Sequence, residues 1–237
     1  MNANTLYAPY VVAEAPADER AQFIRRTYLH LAASVLAFTG LEIALFKSGI
    51  AETLLRFMLG GQYSWLIVLG AFMGISWLAN WWAQSDASQG LQYAGLTIYV
   101  IAEAVIFVPI LYIAMKFSTP DVLPMAVLFT LLLFGGLTAS AFITRKDFSF
   151  LGPIICIASF IALGVIVASF LFGFNLGIVF SAIMIAIAAG AILYTTSNII
   201  HVYRPDQHVA ASLALFAAVA LLFWYVLRIL IALSGRR

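Results

Sequence analysis

Three ionisable side chains stand inside long apolar runs, at positions where a charge is expensive. Glu103 lies near the middle of Tyr99-Val-Ile-Ala-Glu103-Ala-Val-Ile-Phe-Val-Pro109. Glu42 lies about one turn from the end of the first run, and Arg228 a similar distance from the end of the last. A charged group at the centre of a bilayer costs about 2.5–3.5 kcal/mol on insertion scales, so such a residue is expected to face a protein interior. Glu103 therefore reads either as a proton or cation site or as a neutral acid bonded to a neighbouring helix. Pro109 removes a helix hydrogen bond one to two turns later and is expected to open a polar pocket there. Glu42 and Arg228 fall at one depth on runs of the same direction. They read as an ion pair, which would offset part of their cost, or as two side chains that reach separately for the interface.

Other chemistry finds less support. Tyr194-Thr195-Thr196-Ser197-Asn198 is a polar cluster, but Thr and Ser satisfy themselves on their own helix carbonyls and no base is paired with them. No Ser-His-Asp or Cys-His arrangement is apparent, so no enzyme is expected. His30, His201 and His208 are scattered, and CxxC and HExxH are missing, so neither a metal nor a cofactor is expected. Cys156 is the single cysteine and sits in an apolar run, where packing is its usual role.

The elements that must position these residues follow from composition. Hydrophobic residues make up 64% of the 237 and charged residues 9%, where a soluble domain carries roughly a quarter charged. The net charge of +2 gives no sign of nucleic-acid binding. A spanning helix needs about 20 mostly apolar residues. Continuous runs of that length occur over 28–46, 65–83, 91–115, 122–143, 151–172, 176–199 and 211–233. They do not alternate as strands would, so the expectation is an all-α, polytopic membrane protein, a bundle of seven transmembrane helices in a lipid bilayer. Residues 1–22 read as a polar N-terminal tail and 23–237 as the membrane domain. The tail holds Glu14, Asp18 and Glu19 with Pro9 and Pro16, and does not read as a cleaved signal.

Loop chemistry fits the count. Gly60-Gly61-Gln62 precedes the second span and Gln84-Ser85-Asp86 follows it. In Ser118-Thr119-Pro120-Asp121 the proline stops one helix and the aspartate is expected to cap the next. Gly70 with Gly74, Ala186 with Gly190, and Gly135-Gly136 with Ala139-Ser140 read as close helix contacts. Trp65, Trp81, Trp82 and Tyr112 read as interfacial anchors. Arg20, Arg25, Arg26, Arg145, Lys146 and Arg204 fall on the N-terminal side, and Lys47, Arg56, Lys116, Arg236 and Arg237 on the other. Arg25-Arg26 beside the first span favours a cytoplasmic N-terminus and an external C-terminus.

Two segments carry a family resemblance. One is Thr144-Arg-Lys-Asp147-Phe-Ser-Phe-Leu-Gly152, after Gly-Leu-Thr-Ala-Ser-Ala-Phe-Ile; the other is Gly190-Ala-Ile-Leu-Tyr-Thr-Thr-Ser-Asn-Ile-Ile-His201. With Arg25-Arg-Thr-Tyr-Leu, they resemble the Bax inhibitor-1 (transmembrane BAX inhibitor motif) family from about Phe23 to Leu230, and its bacterial YccA branch most. The resemblance implies seven helices with the last at or near the centre, in a bacterial inner membrane. It also implies passive, pH-sensitive calcium leak, and for the YccA branch a role as modulator of the membrane-anchored ATP-dependent protease FtsH. The family senses pH with two acids. The first falls on Thr195 and the second on Ala218, after Leu215-Phe216-Ala217, and neither position holds an acid. The asparagine that often follows falls on Leu221, whereas Glu103 keeps a glutamate common in the third helix. Two missing carboxyls cannot share a proton. The resemblance therefore implies a membrane interaction protein of protease control or stress response ahead of a pH-sensitive calcium or proton leak.

Overall fold

A computed structural model describes residues 10–61, 63–85 and 88–235. The expectations that fall on Pro9, Gln62, Asp86, Arg236 and Arg237 lie outside the described residues. Among the described residues the chain forms eight α-helices: α1 (Ala17–Lys47), α2 (Ile50–Leu59), α3 (Ser64–Ala83), α4 (Gln89–Phe117), α5 (Val122–Thr144), α6 (Leu151–Phe172), α7 (Ile178–His201) and α8 (His208–Ser234). Seven are long and apolar enough to cross a membrane, α2 being the exception. Among the described residues there is no strand. The protein is an all-α polytopic membrane bundle.

The first helix starts at Ala17, inside the segment read as a polar tail. Pro16 stands at its N-cap, and a proline is tolerated at the start of a helix because the first turn needs no N–H there. The segment before it is docked. Val12 and Ala15 are buried, and the Val12 N–H donates to the Tyr203 carbonyl at 2.8 Å. The Phe23 and Tyr203 rings pack beside that bond, with centroids 6.4 Å apart.

The short helix α2 was not expected. Gly49, at φ 77°, takes the left-handed conformation that lets the chain turn sharply out of α1. The ten residues of α2 rise about 15 Å, half the hydrocarbon thickness. It buries Ala51 and Met58, packs on α1, α3 and α4, and leaves Phe57 and Leu59 exposed.

α8 packs on α1, α3, α4, α5 and α7, the central place that the resemblance implies. The other well-buried helix is α4. Ser88 caps it by accepting the Leu91 N–H at 3.2 Å, which satisfies one amide of the first turn. Asp121 stands at the N-cap of α5, but its side chain makes no cap bond. Pro109 lies inside α4 without ending it, among buried Phe107, Val108, Ile110 and Leu111, so its surroundings are apolar. Aromatic edges join the two central helices: Tyr99 with Phe216 and Phe107 with Trp224.

The glycine pairs behave otherwise than expected. A Cβ at Gly70, Gly74, Gly135 or Gly136 would meet nothing within 4 Å, so these faces turn outward. Ala186, Ala139 and Ser140 are exposed as well, and Gly190 makes ordinary contact with Ile155 of α6. The close approach is at Gly95 instead. A Cβ there would lie 2.5 Å from the Ala79 carbonyl oxygen and 2.8 Å from the Ala83 nitrogen of α3. Cys156 is exposed on α6 rather than packed.

Candidate functional site

Glu103 sits on the buried face of α4 and is 5% exposed. Tyr99, one turn earlier, sets its hydroxyl beside the carboxyl, and Ser76 of α3 stands beside Tyr99. Phe72 and Phe216 pack on the Tyr99 ring. One carboxylate oxygen, Oε2, has no hydrogen-bond partner. The result is one acid with two hydroxyls between α3 and α4. It can hold or exchange a proton, but it supplies few oxygens for a divalent cation such as calcium, which takes about six to eight. Among the described residues no three of His, Cys, Asp and Glu come together to hold a metal ion.

Glu42 and Arg228 do not form the ion pair read from their depth. Glu42 is 7% exposed, and both its carboxylate oxygens lack a partner. Arg228 turns the other way and donates to the Leu176 carbonyl at 2.9 Å, in the α6–α7 connection. Rotation about the helix axes decides which side chains meet, and here it leaves Glu42 without a partner and Arg228 bonded to Leu176.

Thr195 and Ala218, the positions where the family carries its acids, are both buried, on α7 and α8. They bring no charge to that interface. The hydroxyls that follow are used structurally. Ser197 accepts the Phe148 N–H at 3.0 Å, which ties the α5–α6 connection to α7. Asp147 accepts the Ser149 N–H at 2.8 Å, and that amide holds its carboxyl below the ordinary range. Arg145, at φ 49°, is a left-handed non-glycine residue that ends α5 just before this turn. The Thr144–Gly152 string is therefore a latch, formed by backbone geometry and one serine of the second family segment. Tyr28 of α1, Thr138 of α5 and Thr196 of α7 gather their hydroxyls nearby without closing a hydrogen bond of ordinary geometry.

The structure also joins residues that the sequence reading left apart. His30 and His208 are far apart in the sequence, yet their ring centroids are 5.1 Å apart. Tyr93 of α4 joins them, its hydroxyl 3.1 Å from His30 Nε2 and 3.5 Å from His208 Nε2. His30 Nδ1 lies 2.7 Å from the Arg26 carbonyl, which can only accept, so Nδ1 carries the proton and Nε2 accepts from Tyr93. Tyr93 in turn accepts from His208 Nε2–H, and His208 Nδ1 is left buried without a partner. Arg26 and Asp206 supply the nearby charges. This chain crosses α1, α4 and α8 at the N-terminal end of the bundle. Apolar periodicity marks buried faces but not which faces meet, so no sequence signal revealed it; the one hint was a histidine and a tyrosine near the ends of their spans.

Comparison with known proteins agrees with this fold. The family model described as inhibitor of apoptosis-promoting Bax1 matches residues 20–235. The chain belongs to the Bax inhibitor-1 family of membrane proteins. The Escherichia coli protein named modulator of FtsH protease YccA is 36% identical over 123 residues, 52% of this chain and 56% of that protein. This similarity supports the YccA-like branch. A BI1-like protein of Arabidopsis thaliana is 37% identical over 113 residues, 44% of this chain and 43% of that one. An uncharacterised Campylobacter jejuni protein is 29% identical over 234 residues, 92% of each chain. The chain spans about half the length of the first two of these relatives.

Proposed function

We propose that this protein is a bacterial inner-membrane interaction protein that modulates a membrane-anchored ATP-dependent protease of the FtsH type, as part of protease control or stress response. Its N-terminus lies in the cytoplasm, and it acts by binding rather than by catalysing a reaction. The observation that carries this reading is the similarity to the Escherichia coli protein named as a modulator of that protease. The structure supports it with a firmly tied face at the N-terminal end. Val12 is bonded to Tyr203, Phe148 to Ser197, and His30 through Tyr93 to His208. A preformed face of this kind gives a partner a surface that costs little to order on binding. The test is co-purification of the full chain, tagged at its C-terminus, with the protease from native membranes. Enrichment of the protease over unrelated inner-membrane proteins is expected. Equal recovery of both would overturn the reading.

A pH-sensitive calcium or proton leak is the second reading. What favours it is that Glu103 and Glu42 are buried in the bundle with carboxylate oxygens that lack partners. Because Thr195 and Ala218 offer no carboxyl, liposomes holding the protein are expected to leak calcium weakly and with little pH dependence. Flux that appears with Thr195→Asp and Ala218→Asp together, and not in the native chain, supports that view. Strong pH-gated flux from the native chain, abolished by Glu103→Gln, would make the leak the leading function.

A further inference from the structure

The cation that the Glu42 pairing failed to absorb points to a different partner. α6 ends at Gly173, and the chain returns to α7 through Gly177. Around this return lies a cavity of about 170 Å³, bounded by Leu176, Gly177, Ile178, Ser181, Arg228 and Ala232. Arg228 gives one N–H to the Leu176 carbonyl, and a guanidinium has about five. No carboxylate among the described residues pairs with it. Ser181 is 1% exposed, lines the same cavity, and its hydroxyl has no hydrogen-bond partner among the described residues. The N-terminus of α7 opens here too. Its N-cap residue, Gly177, has no side chain to satisfy the amides of the first turn, and those amides carry partial positive charge.

A cation, a buried hydroxyl and a helix N-terminus thus converge without an anion. The space is several times the roughly 30 Å³ share of one water, enough for one tetrahedral oxyanion. Arg228 lies six residues before the end of α8, about 9 Å along the axis, which places its flexible head at the interfacial level of the bilayer.

We propose that this cavity is a phosphate-binding site, with Arg228, Ser181 and the first amides of α7 as its donors. Arginine and helix amides suit that group because they offer several N–H bonds to an ion with acceptor oxygens in several directions. A phospholipid headgroup and free inorganic phosphate both carry it. The site stands apart from the buried acids and from the tied N-terminal face, so it does not rest on the protease reading.

The test uses the full chain, delipidated in a non-ionic detergent. Dihexanoyl phosphatidylglycerol, inorganic phosphate and dihexanoylglycerol are titrated separately, with the thermal midpoint and the emission of Trp224, one turn from Arg228, as readouts. The phosphorylated lipid is expected to raise the midpoint saturably, and the diacylglycerol is not. Arg228→Gln is expected to weaken apparent binding by at least about tenfold, the loss of hydrogen bonds to a charged group. Ser181→Ala leaves the Arg228–Leu176 bond in place and so decides the matter if the arginine variant does not fold; a loss of roughly threefold or more is expected. A response to the lipid alone assigns the site to headgroups, and an equal response to inorganic phosphate assigns it to the free ion. The proposal is overturned if the diacylglycerol acts as well as the phosphorylated lipid, if neither phosphate source acts, or if Ser181→Ala titrates as the native protein does.

Discussion

His30 and His208 lie at opposite ends of the chain's order, in the first and last helices, yet their rings sit 5.1 Å apart with Tyr93 bonded to both. Removing either ring also removes the contact that the other ring makes with it. A double-mutant cycle of His30→Ala and His208→Ala should therefore show a coupling of about 0.5–1.5 kcal/mol in unfolding free energy. The check is thermal or denaturant unfolding of both single variants and the double variant in one detergent. Simple additivity would mean that the rings do not support one another.

The opposite outcome is expected for Glu42 and Arg228. Both are ionisable and stand five and six residues before the ends of α1 and α8, but the carboxylate of one is unpartnered and the guanidinium of the other is bonded to Leu176. Glu42→Gln and Arg228→Gln should add within about 0.5 kcal/mol. A positive coupling above that in the same unfolding assay would restore the ion pair.

Gly95 on α4 and Gly70 on α3 offer a contrast between a packed face and an open one. Gly95→Ala drives a Cβ against the Ala79 carbonyl oxygen and the Ala83 nitrogen, which are backbone atoms and cannot step aside. A loss of about 1–3 kcal/mol is expected, the ordinary cost of overpacking. At Gly70 there is open space, and Gly70→Ala should fall within about 0.5 kcal/mol of the native protein. The two variants are compared by melting temperature, and similar losses would contradict the close approach of α3 and α4 at Gly95.

Tyr203 gives a pH dependence outside the spans. Burial pushes its hydroxyl up to about 12, from an ordinary value of about 10. The folded state thus holds the proton more tightly than the unfolded one. The associated stability is fully present below about pH 10 and is lost as the pH rises toward 12. Native protein should lose melting temperature more steeply between about pH 10 and 12 than Tyr203→Phe does. Parallel slopes would show that the hydroxyl does not titrate on unfolding.

The membrane architecture was largely legible in the sequence, and the site much less so. Each of the seven apolar runs became a helix, because a continuous run of about 20 apolar residues leaves the backbone no other way to satisfy itself in lipid. Glu103 was expected to face the interior and is 5% exposed, since the placement of a charge follows from its burial cost. Rotation was not legible. The Glu42–Arg228 pairing failed, His30 met His208 unannounced, and Gly95 rather than Gly70 made the close contact, all because the azimuth of each helix is set by tertiary packing. The helix α2 escaped notice because ten residues containing Glu52 and Arg56 fall below the length of a span.

The central position of α8 has a consequence for synthesis. Of the eight helices, the one that packs on α1, α3, α4, α5 and α7 is the last to leave the ribosome. Until it arrives, α1 and α4 can already join through His30 with Tyr93 and Phe38 with Phe107, while the faces that α8 covers stay open. A nascent chain halted before 208–234 therefore leaves surfaces such as those of Tyr99 and Phe107 without the α8 rings that cover them.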